Sequence, residues 1–288
     1  MLWHYTTAEG LLGILSEGKI RAGSLDSLND SSEGLYMSQR VIESARRNLR
    51  EKDGAALASI LGQPSYGPLS TAVACFCASD DLLGQWRAYS QGKGFAIGFD
   101  SKALAKRWIT ETREGVFAPV RYSLETAMET ADRHGKEIAD AWKAALPGGI
   151  EAVAADSFRG GEILESDVES LARQLCGLDS LIGPLLMSAA FHKDPHFTDE
   201  REWRLVTRLA SPISKKDDGG GARSRDGGLA IYRAVKFQES PDDGPIRRVR
   251  VGPGLPFEEQ GRALEWTLSA FGYNGVDVLE SAVPLRFV

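Results

Sequence analysis

Short apolar strands recur along the entire sequence, and their spacing constrains the fold more than any other feature. Two of them, over 71–76 and 95–99, are separated only by a helix that begins at Ser79-Asp80-Asp81 and a tight Gly92-Lys93-Gly94 loop. Alternation of apolar and polar residues predicts further strands over 3–5, 116–122, 202–207, 229–237 and 247–251, and a last pair that ends at Arg286. Strands interleaved with helices in this order predict an α+β fold built on a mixed sheet.

The first strand is expected to run directly into a helix. Thr6 precedes Glu9 by three positions, which is the spacing of a capping box, so Thr6 is the predicted N-cap. The predicted apolar face of this helix consists of Leu11, Leu12 and Leu15. Gly18 is expected to end the helix, and a second, charged helix is predicted over 38–52.

A length of 288 residues allows one large domain or two modest ones, and we expect a single domain over 1–288. Alanine-rich helical patterning predicts a helical insertion or cap over 101–190. Clustered glycines and charges predict a flexible loop over 211–228.

The composition argues against several classes of protein. The chain has 34 Lys plus Arg against 40 Asp plus Glu, and a net charge of −6 argues against a dedicated binder of duplex DNA or of anionic membranes. Three cysteines cannot form a disulfide framework, which predicts a reducing compartment. No stretch approaches the ~18 apolar residues of a membrane span, and the first residues lack a signal-peptide pattern, so we expect no membrane partner and a cytoplasmic location.

Two pairs of residues have the spacing of metal ligands. His192 and His196 are four apart, but Pro195 interrupts a regular helix between them and no carboxylate occupies the required position. Cys75 and Cys77 lie on one face of a strand without a second ligand pair, which is typical of a core. We therefore expect no metal cofactor.

Three segments combine aromatic and charged residues at strand ends or turns: 3–6, 85–89 before the Gly92-Lys93-Gly94 loop, and 199–204. Together with Ser281-Ala282-Val283-Pro284-Leu285-Arg286, they resemble an uncharacterised bacterial family that carries a domain of unknown function. The resemblance runs from residue 2 to residue 286 and names no activity.

A second resemblance does imply an activity. His4-Tyr5-Thr6, followed by a helix that ends in Ile14-Leu15-x-x-Gly18, looks like the first motif of ADP-ribosyltransferases. That resemblance implies a split β-sheet that clasps NAD, with NAD as the substrate. The family order of histidine, tyrosine and glutamate corresponds here to His4, Tyr89 and Glu202. The resemblance implies that His4 holds the ribose and that Tyr89 stacks on nicotinamide. By family analogy, the protein transfers ADP-ribose to a protein or nucleic-acid acceptor as a bacterial toxin or antiphage effector.

The expected chemistry explains the choice of Glu202. Cleavage of the bond between ribose and nicotinamide passes through an oxocarbenium-like state, which a fixed carboxylate stabilises. On an alternating strand, Glu200, Glu202 and Arg204 share one face. Glu202 is therefore the predicted catalytic carboxylate. Arg204 or Glu200 would orient it or the acceptor, and Glu200 would help the acceptor to attack.

Arg204 and four further residues are predicted to contact the substrate. Tyr5 and Thr6 lie at the start of the first helix, where free backbone N–H groups suit a diphosphate. Arg87 is a candidate phosphate partner. Gly98, inside a strand, leaves room for a ligand or another backbone to approach closely.

Simpler roles remain open for the three principal residues. Glu202 and Arg204 could form a surface ion pair, Tyr89 could pack in the core beside Trp86, and His4 could be a hydrogen-bonded structural residue. For the whole protein, the alternatives are a non-catalytic module that binds a nucleotide or a partner protein, and an NAD glycohydrolase.

Overall fold

A computed structural model describes residues 1–25, 31–61, 71–90, 92–111, 115–152, 187–209, 219–225 and 227–284. The chain divides into two compact units. We call the first unit, which comprises the described parts of 1–23, 72–120 and 196–288, the sheet unit. The second unit, from 24–71 and 121–195, is the helical unit.

Ten strands of the described chain form one mixed sheet. They are β1 (Leu2–Thr6), β2 (Lys19–Ser24), β3 (Thr71–Cys77), β4 (Phe95–Phe99), β5 (Val116–Pro119), β6 (Glu202–Arg208), β7 (Gly220–Arg225), β8 (Gly228–Lys236), β9 (Ile246–Val251) and β10 (Asp277–Glu280). Their order is β10-β9-β4-β1-β3-β2-β8-β7, and a β5–β6 pair branches from β3. β10 is parallel to β9, whereas β1 pairs with β4 in antiparallel register. The predicted α+β class and the mixed sheet are confirmed.

The described helices alternate with these strands along the chain. They are α1 (Ala8–Glu17), α2 (Ser31–Arg47), α3 (Glu51–Leu61), α4 (Leu83–Ser90), α5 (Ser101–Ala105), α6 (Leu124–Ala145) and α7 (Phe257–Ala270). A π-helical turn at Lys106–Glu111 follows α5, and a 3-10 turn at Pro195–Glu200 precedes β6. Within the described ranges, no helix combines the length and the apolar composition that a membrane span requires.

The sheet unit contains two apolar clusters, because alternate residues of a strand face opposite sides of the sheet. Phe76 lies in the larger cluster, where its ring is 5.8 Å from that of Phe99 and 5.6 Å from that of Phe117. Trp3 and Tyr5 belong to a smaller cluster with Trp86 of α4. Because neighbouring residues of a strand face opposite sides, His4 points away from Trp3 and Tyr5.

The first helix begins one residue later than predicted. The hydroxyl of Thr7, not that of Thr6, accepts a hydrogen bond from the Gly10 N–H at 3.2 Å. Thr6 cannot be the cap because it is the last residue of β1, where it pairs with Phe95. The buried face also differs from the prediction, since it comprises Leu11, Ile14 and Leu15, while Leu12 is 46% exposed. Gly18 ends the helix in the left-handed conformation with φ 61°, as predicted.

The helical unit packs α2 and α3 around α6 through an apolar cluster that includes Val41, Leu57 and Ile138. The single helix predicted over 38–52 is wrong, because α2 ends at Arg47 and α3 begins at Glu51. Asp53 of α3 is 5% exposed and accepts hydrogen bonds from Trp142 Nε1 and from the Ile150 N–H.

Several other predicted boundaries differ from the structure. The stretch predicted as a helical insertion is divided between the two units. Residues 101–120 belong to the sheet unit, whereas the described residues of 121–190 belong to the helical unit. Residues 153–186 lie outside the described residues. Within the loop predicted over 211–228, residues 220–225 are strand β7 because they pair in register with β8. Positions 211–218 and 226 lie outside the described residues. Of the predicted last strand pair, the described residues contain β10, and the predicted end at Arg286 lies outside them.

Candidate active site

Glu202 and Arg204 form a buried ion pair on β6. Arg204 Nε lies 2.9 Å from Glu202 Oε1, and Arg204 Nη2 lies 2.9 Å from Glu202 Oε2, so the contact is bidentate. Glu202 is 5% exposed and Arg204 only 2%. The two residues share a face because they are two apart on a strand, whereas Trp203 and Leu205 pack with the larger apolar cluster on the other side. The pair is therefore not the surface ion pair considered above, since both side chains are removed from solvent.

Glu200 does not belong to this strand. It ends the 3-10 turn at Pro195–Glu200, and β6 begins only at Glu202. Arg201 separates them with a left-handed φ of 45°, so the alternation predicted for Glu200, Glu202 and Arg204 is wrong at its first member. The Glu200 carbonyl accepts a hydrogen bond from the Cys77 thiol at 3.0 Å. Burial raises the pKa of that thiol to about 11, which keeps Cys77 a neutral structural group.

The Tyr89 phenol of α4 lies within electrostatic range of the ion pair. Its side chain is 36% exposed overall, yet its phenol group lies in desolvated surroundings. Burial raises the pKa of the Tyr89 phenol, the Cys75 thiol and the Glu202 and Glu200 carboxylates raise it further, and Arg204 acts in the opposite direction. The phenol therefore stays protonated and can donate a hydrogen bond. We call Tyr89, Glu200, Glu202 and Arg204 the β6–α4 cluster.

His4 of β1 has a fixed tautomer. Its Nδ1 lies 2.8 Å from the Cys75 carbonyl, and because a carbonyl can only accept, Nδ1 carries the proton and Nε2 is left as an acceptor. Burial lowers the pKa of His4, the hydrogen bond to Cys75 opposes that shift, and the charge of Arg223 lowers the pKa further. In the part of the chain that the structure describes, the side-chain contacts of His4 are with Cys75 and Phe76, and the β6–α4 cluster is not among them.

Tyr5 has a structural position. Its hydroxyl donates to the Ser79 carbonyl at 3.1 Å and accepts from the Leu82 N–H at 3.0 Å, and its ring packs edge-on against Trp86 with centroids 4.7 Å apart. The hydrogen bond that the Tyr5 hydroxyl donates and the one that it accepts thus both stabilise the turn before α4. The pKa of Tyr5 is raised by burial, so this hydroxyl keeps its proton.

The remaining predicted binding residues have different surroundings. Thr6 is half-buried in β1, and Arg87 is exposed on α4. The close approach expected at Gly98 is made by Trp3, since a Cβ at Gly98 would lie 2.8 Å from the Trp3 ring. That space is filled by a side chain of the neighbouring strand.

Asp81 has a role that the sequence did not reveal. It accepts hydrogen bonds from Trp86 Nε1 at 2.7 Å, from the Ser281 hydroxyl at 2.6 Å and from the Ala282 N–H at 2.7 Å. The sequence pattern before α4 predicted only a helix cap at this position. Asp81 instead fixes residues 281–284, which we call the C-terminal strap, and this contact accounts for the Ser281 motif.

Comparison with known proteins supports one of the two resemblances. Residues 85–205, less than half of the chain, match the model of a family described as "Protein of unknown function (DUF2971)". This stretch resembles that family. It contains α4, the Gly92-Lys93-Gly94 loop and the Glu202–Arg204 pair, whereas β1 and the C-terminal strap lie outside it. No curated protein and no solved structure matches the chain.

Proposed function

We propose that the chain is an NAD-dependent ADP-ribosyltransferase-like protein that transfers ADP-ribose to a macromolecular acceptor. The observation that carries the proposal is the β6–α4 cluster, in which a guanidinium holds a buried carboxylate in one orientation and the charges of that pair act on the Tyr89 phenol. A carboxylate whose position is fixed before the substrate binds stabilises a developing cation without reorganisation.

The proposed reaction breaks the bond between the ribose C1′ and the nicotinamide nitrogen. The electron pair of that bond leaves with nicotinamide, which departs as a neutral molecule. The positive charge left on the ribose faces Glu202, and the Tyr89 ring packs on the nicotinamide. An acceptor nucleophile then bonds to C1′ and loses a proton, for which Glu200 is the proposed recipient. His4 would hold a ribose hydroxyl through Nε2.

The ADP-ribosyltransferase fold, the cytoplasmic location and the role as a toxin or antiphage effector are part of this proposal. They rest on the His4-Tyr5-Thr6 motif and on the mixed sheet of an α+β protein. Arg204 is proposed to orient Glu202, since the bidentate contact leaves that carboxylate little rotational freedom.

One observation favours a second candidate, a non-catalytic module that binds a nucleotide or a partner protein. Arg204 already neutralises Glu202 in the absence of substrate, and Glu202 is 5% exposed. A carboxylate that is fully compensated by its own neighbour has less negative potential to offer a cationic sugar.

Release of nicotinamide from NAD separates these candidates. Glu202→Gln removes the charge and keeps the shape, so we expect release to fall by about 10²–10³-fold relative to the parent. Glu265→Gln, on the exposed side of α7, is the matched control and is expected to release nicotinamide at the parent rate. Thermal melting with and without NAD shows whether each variant is folded and binds.

Each outcome has a defined meaning. Equal release by the parent and Glu202→Gln excludes Glu202 from the mechanism. If NAD stabilises the protein but neither form releases nicotinamide, the binding module is the correct description. Release that is unchanged by any added acceptor identifies a glycohydrolase instead of a transferase.

A further inference from the structure

Two exposed apolar surfaces of the sheet unit lie at opposite ends of its strand order. The first is on the β7–β8 hairpin, at one end of the order β10-β9-β4-β1-β3-β2-β8-β7. The second is on α7, which packs against β9 and β10 at the other end. Exposed apolar residues that are scattered singly need no explanation, whereas adjacent ones indicate a surface that contacts another molecule.

On the hairpin, the exposed apolar residues share one face of β8. Leu229 is 85% exposed and Ile231 is 42% exposed, and they point to the same side because they are two apart on a strand. Their partners across the ladder are Ser224 and Ala222 of β7, which are small and exposed. Leu229 and Ile231 therefore project beyond their neighbours into solvent. We call these four residues the hairpin face.

On α7, the exposed apolar residues surround a tryptophan. Trp266 is 74% exposed, although tryptophan is on average a highly buried residue. Ala263 and Ala270 are three and four positions away on the helix, so they lie on the same side as Trp266, and both are exposed. The opposite side of α7 is buried, with Leu264 and Leu268 in the larger apolar cluster. We call Ala263, Trp266 and Ala270 the α7 face.

The charges of the two elements are opposite. Residues 220–233 of the hairpin contain three arginines and one aspartate, a net charge of +2. Helix α7 contains three glutamates and one arginine, a net charge of −2. The acidic residues of α7 are all exposed: Glu258, Glu259 and Glu265. Opposite charges on two surfaces attract each other before contact and disfavour the pairing of either surface with itself.

We infer that the hairpin face of one copy of the chain binds the α7 face of a second copy, so that molecules associate head to tail. One chain carries both halves of this contact, since each face has apolar side chains that the other can cover and the surrounding charges are complementary. A contact between two different surfaces leaves one of each open at the ends of the assembly. Further copies therefore add to form an open chain or a closed ring, not a two-fold dimer. This inference does not depend on the proposed reaction.

The mass of the protein in solution, measured by light scattering on a sizing column, tests the association. At low salt we expect the mean mass of the parent to rise above that of two chains as the protein concentration is raised. At about 1 M salt, where charges are screened beyond about 3 Å, the mean mass is expected to fall.

Two variants that each block one face show which surfaces meet. Leu229→Glu adds an acidic group to the hairpin face, and Trp266→Arg adds a basic group to the α7 face, so each variant alone is expected to have the mass of one chain. An equal mixture of the two still contains one intact face of each kind and is expected to form a dimer and nothing larger. Leu12→Glu, at an exposed apolar position of α1, is the matched control and is expected to associate like the parent. Thermal melting of each variant shows whether it is folded.

The inference fails if the parent has the mass of one chain at every concentration, or if the mixture of folded variants forms no dimer. A dimer that Trp266→Arg abolishes and Leu229→Glu leaves intact would also contradict it, because α7 would then pair with α7. Loss of association in Leu229→Glu alone would contradict it in the same way, since the hairpin would then pair with itself.

Discussion

Glu202 and Arg204 are the residues in which stability and function are most closely coupled. Transfer of two charges out of water is costly, and the bidentate geometry offsets that cost only while both partners are present. Removal of one partner leaves the other charge buried. A substitution at this pair therefore changes the free energy of unfolding as well as any reaction, and the two effects must be measured separately.

At the residue scale, a single and a double variant measure the contribution of the pair to stability. Arg204→Met leaves the Glu202 carboxylate buried without its bidentate partner, and we expect the free energy of unfolding to fall by about 3–5 kcal/mol. The double variant Glu202→Leu with Arg204→Met removes both charges and is expected to be more stable than Arg204→Met alone. Urea unfolding measures both values. If the double variant is as unstable as the single one, the pair is not held by mutual compensation.

At the scale of elements, α4 is fixed at its start by two polar groups that come from outside the helix. Tyr5 of β1 binds the turn before it, and Asp81 joins Trp86 to the C-terminal strap. The strap is fixed further by packing of Val283 against the Trp86 cluster. Because Tyr89 is carried by α4, these contacts also position part of the candidate site.

Asp81→Ala tests the attachment of the strap. The variant removes the acceptor of the Ala282 N–H and of Trp86 Nε1, so we expect loss of hydrogen-exchange protection at Ala282 and a destabilisation of about 1–3 kcal/mol from the unsatisfied indole. Asp80→Ala is the matched control, because Asp80 pairs with Arg250 instead. Equal protection of the Ala282 amide in the parent and in Asp81→Ala would show that the strap is held by other contacts.

The elements that were predicted correctly are those defined by local pattern. β4 has the predicted bounds because Phe95–Phe99 is bracketed by a glycine loop and an aspartate cap. β2 escaped prediction, since Lys19–Ser24 has a mixed, glycine-containing sequence and is a strand because it pairs between β3 and β8. β7 was taken as a loop for the same reason. Tertiary pairing, which no local pattern records, decides such segments.

Prediction of the candidate site from local sequence pattern is limited in the same way. The shared face of Glu202 and Arg204 follows from strand geometry and was predicted. The left-handed Arg201 was not, because a non-glycine residue gives no signal of that conformation. The role of Asp81 depends on partners about 200 residues away. A sequence pattern does not contain that information.

At the scale of the whole molecule, the four histidines give the chain an acid sensitivity that its carboxylates alone would not. His4 in the sheet unit and His134 and His192 in the helical unit are held neutral, whereas His196 is exposed. Burial lowers the pKa of His192 to about 4, and the nearby Arg121 and His134 act in the same direction. Burial also lowers the pKa of His134, where Arg133 assists and Glu137 opposes the shift.

These shifts predict how stability depends on pH. The unfolded chain, with histidine pKa values of about 6.5, binds more protons than the folded chain between about pH 6.5 and 4, so the free energy of unfolding falls as the pH falls through that window. His192→Gln has no group to protonate and is expected to show a smaller loss of stability between pH 7 and pH 5 in urea unfolding. An unchanged slope in His192→Gln would mean that protonation of His192 does not oppose the native state, and that another group is responsible for any acid sensitivity of the helical unit.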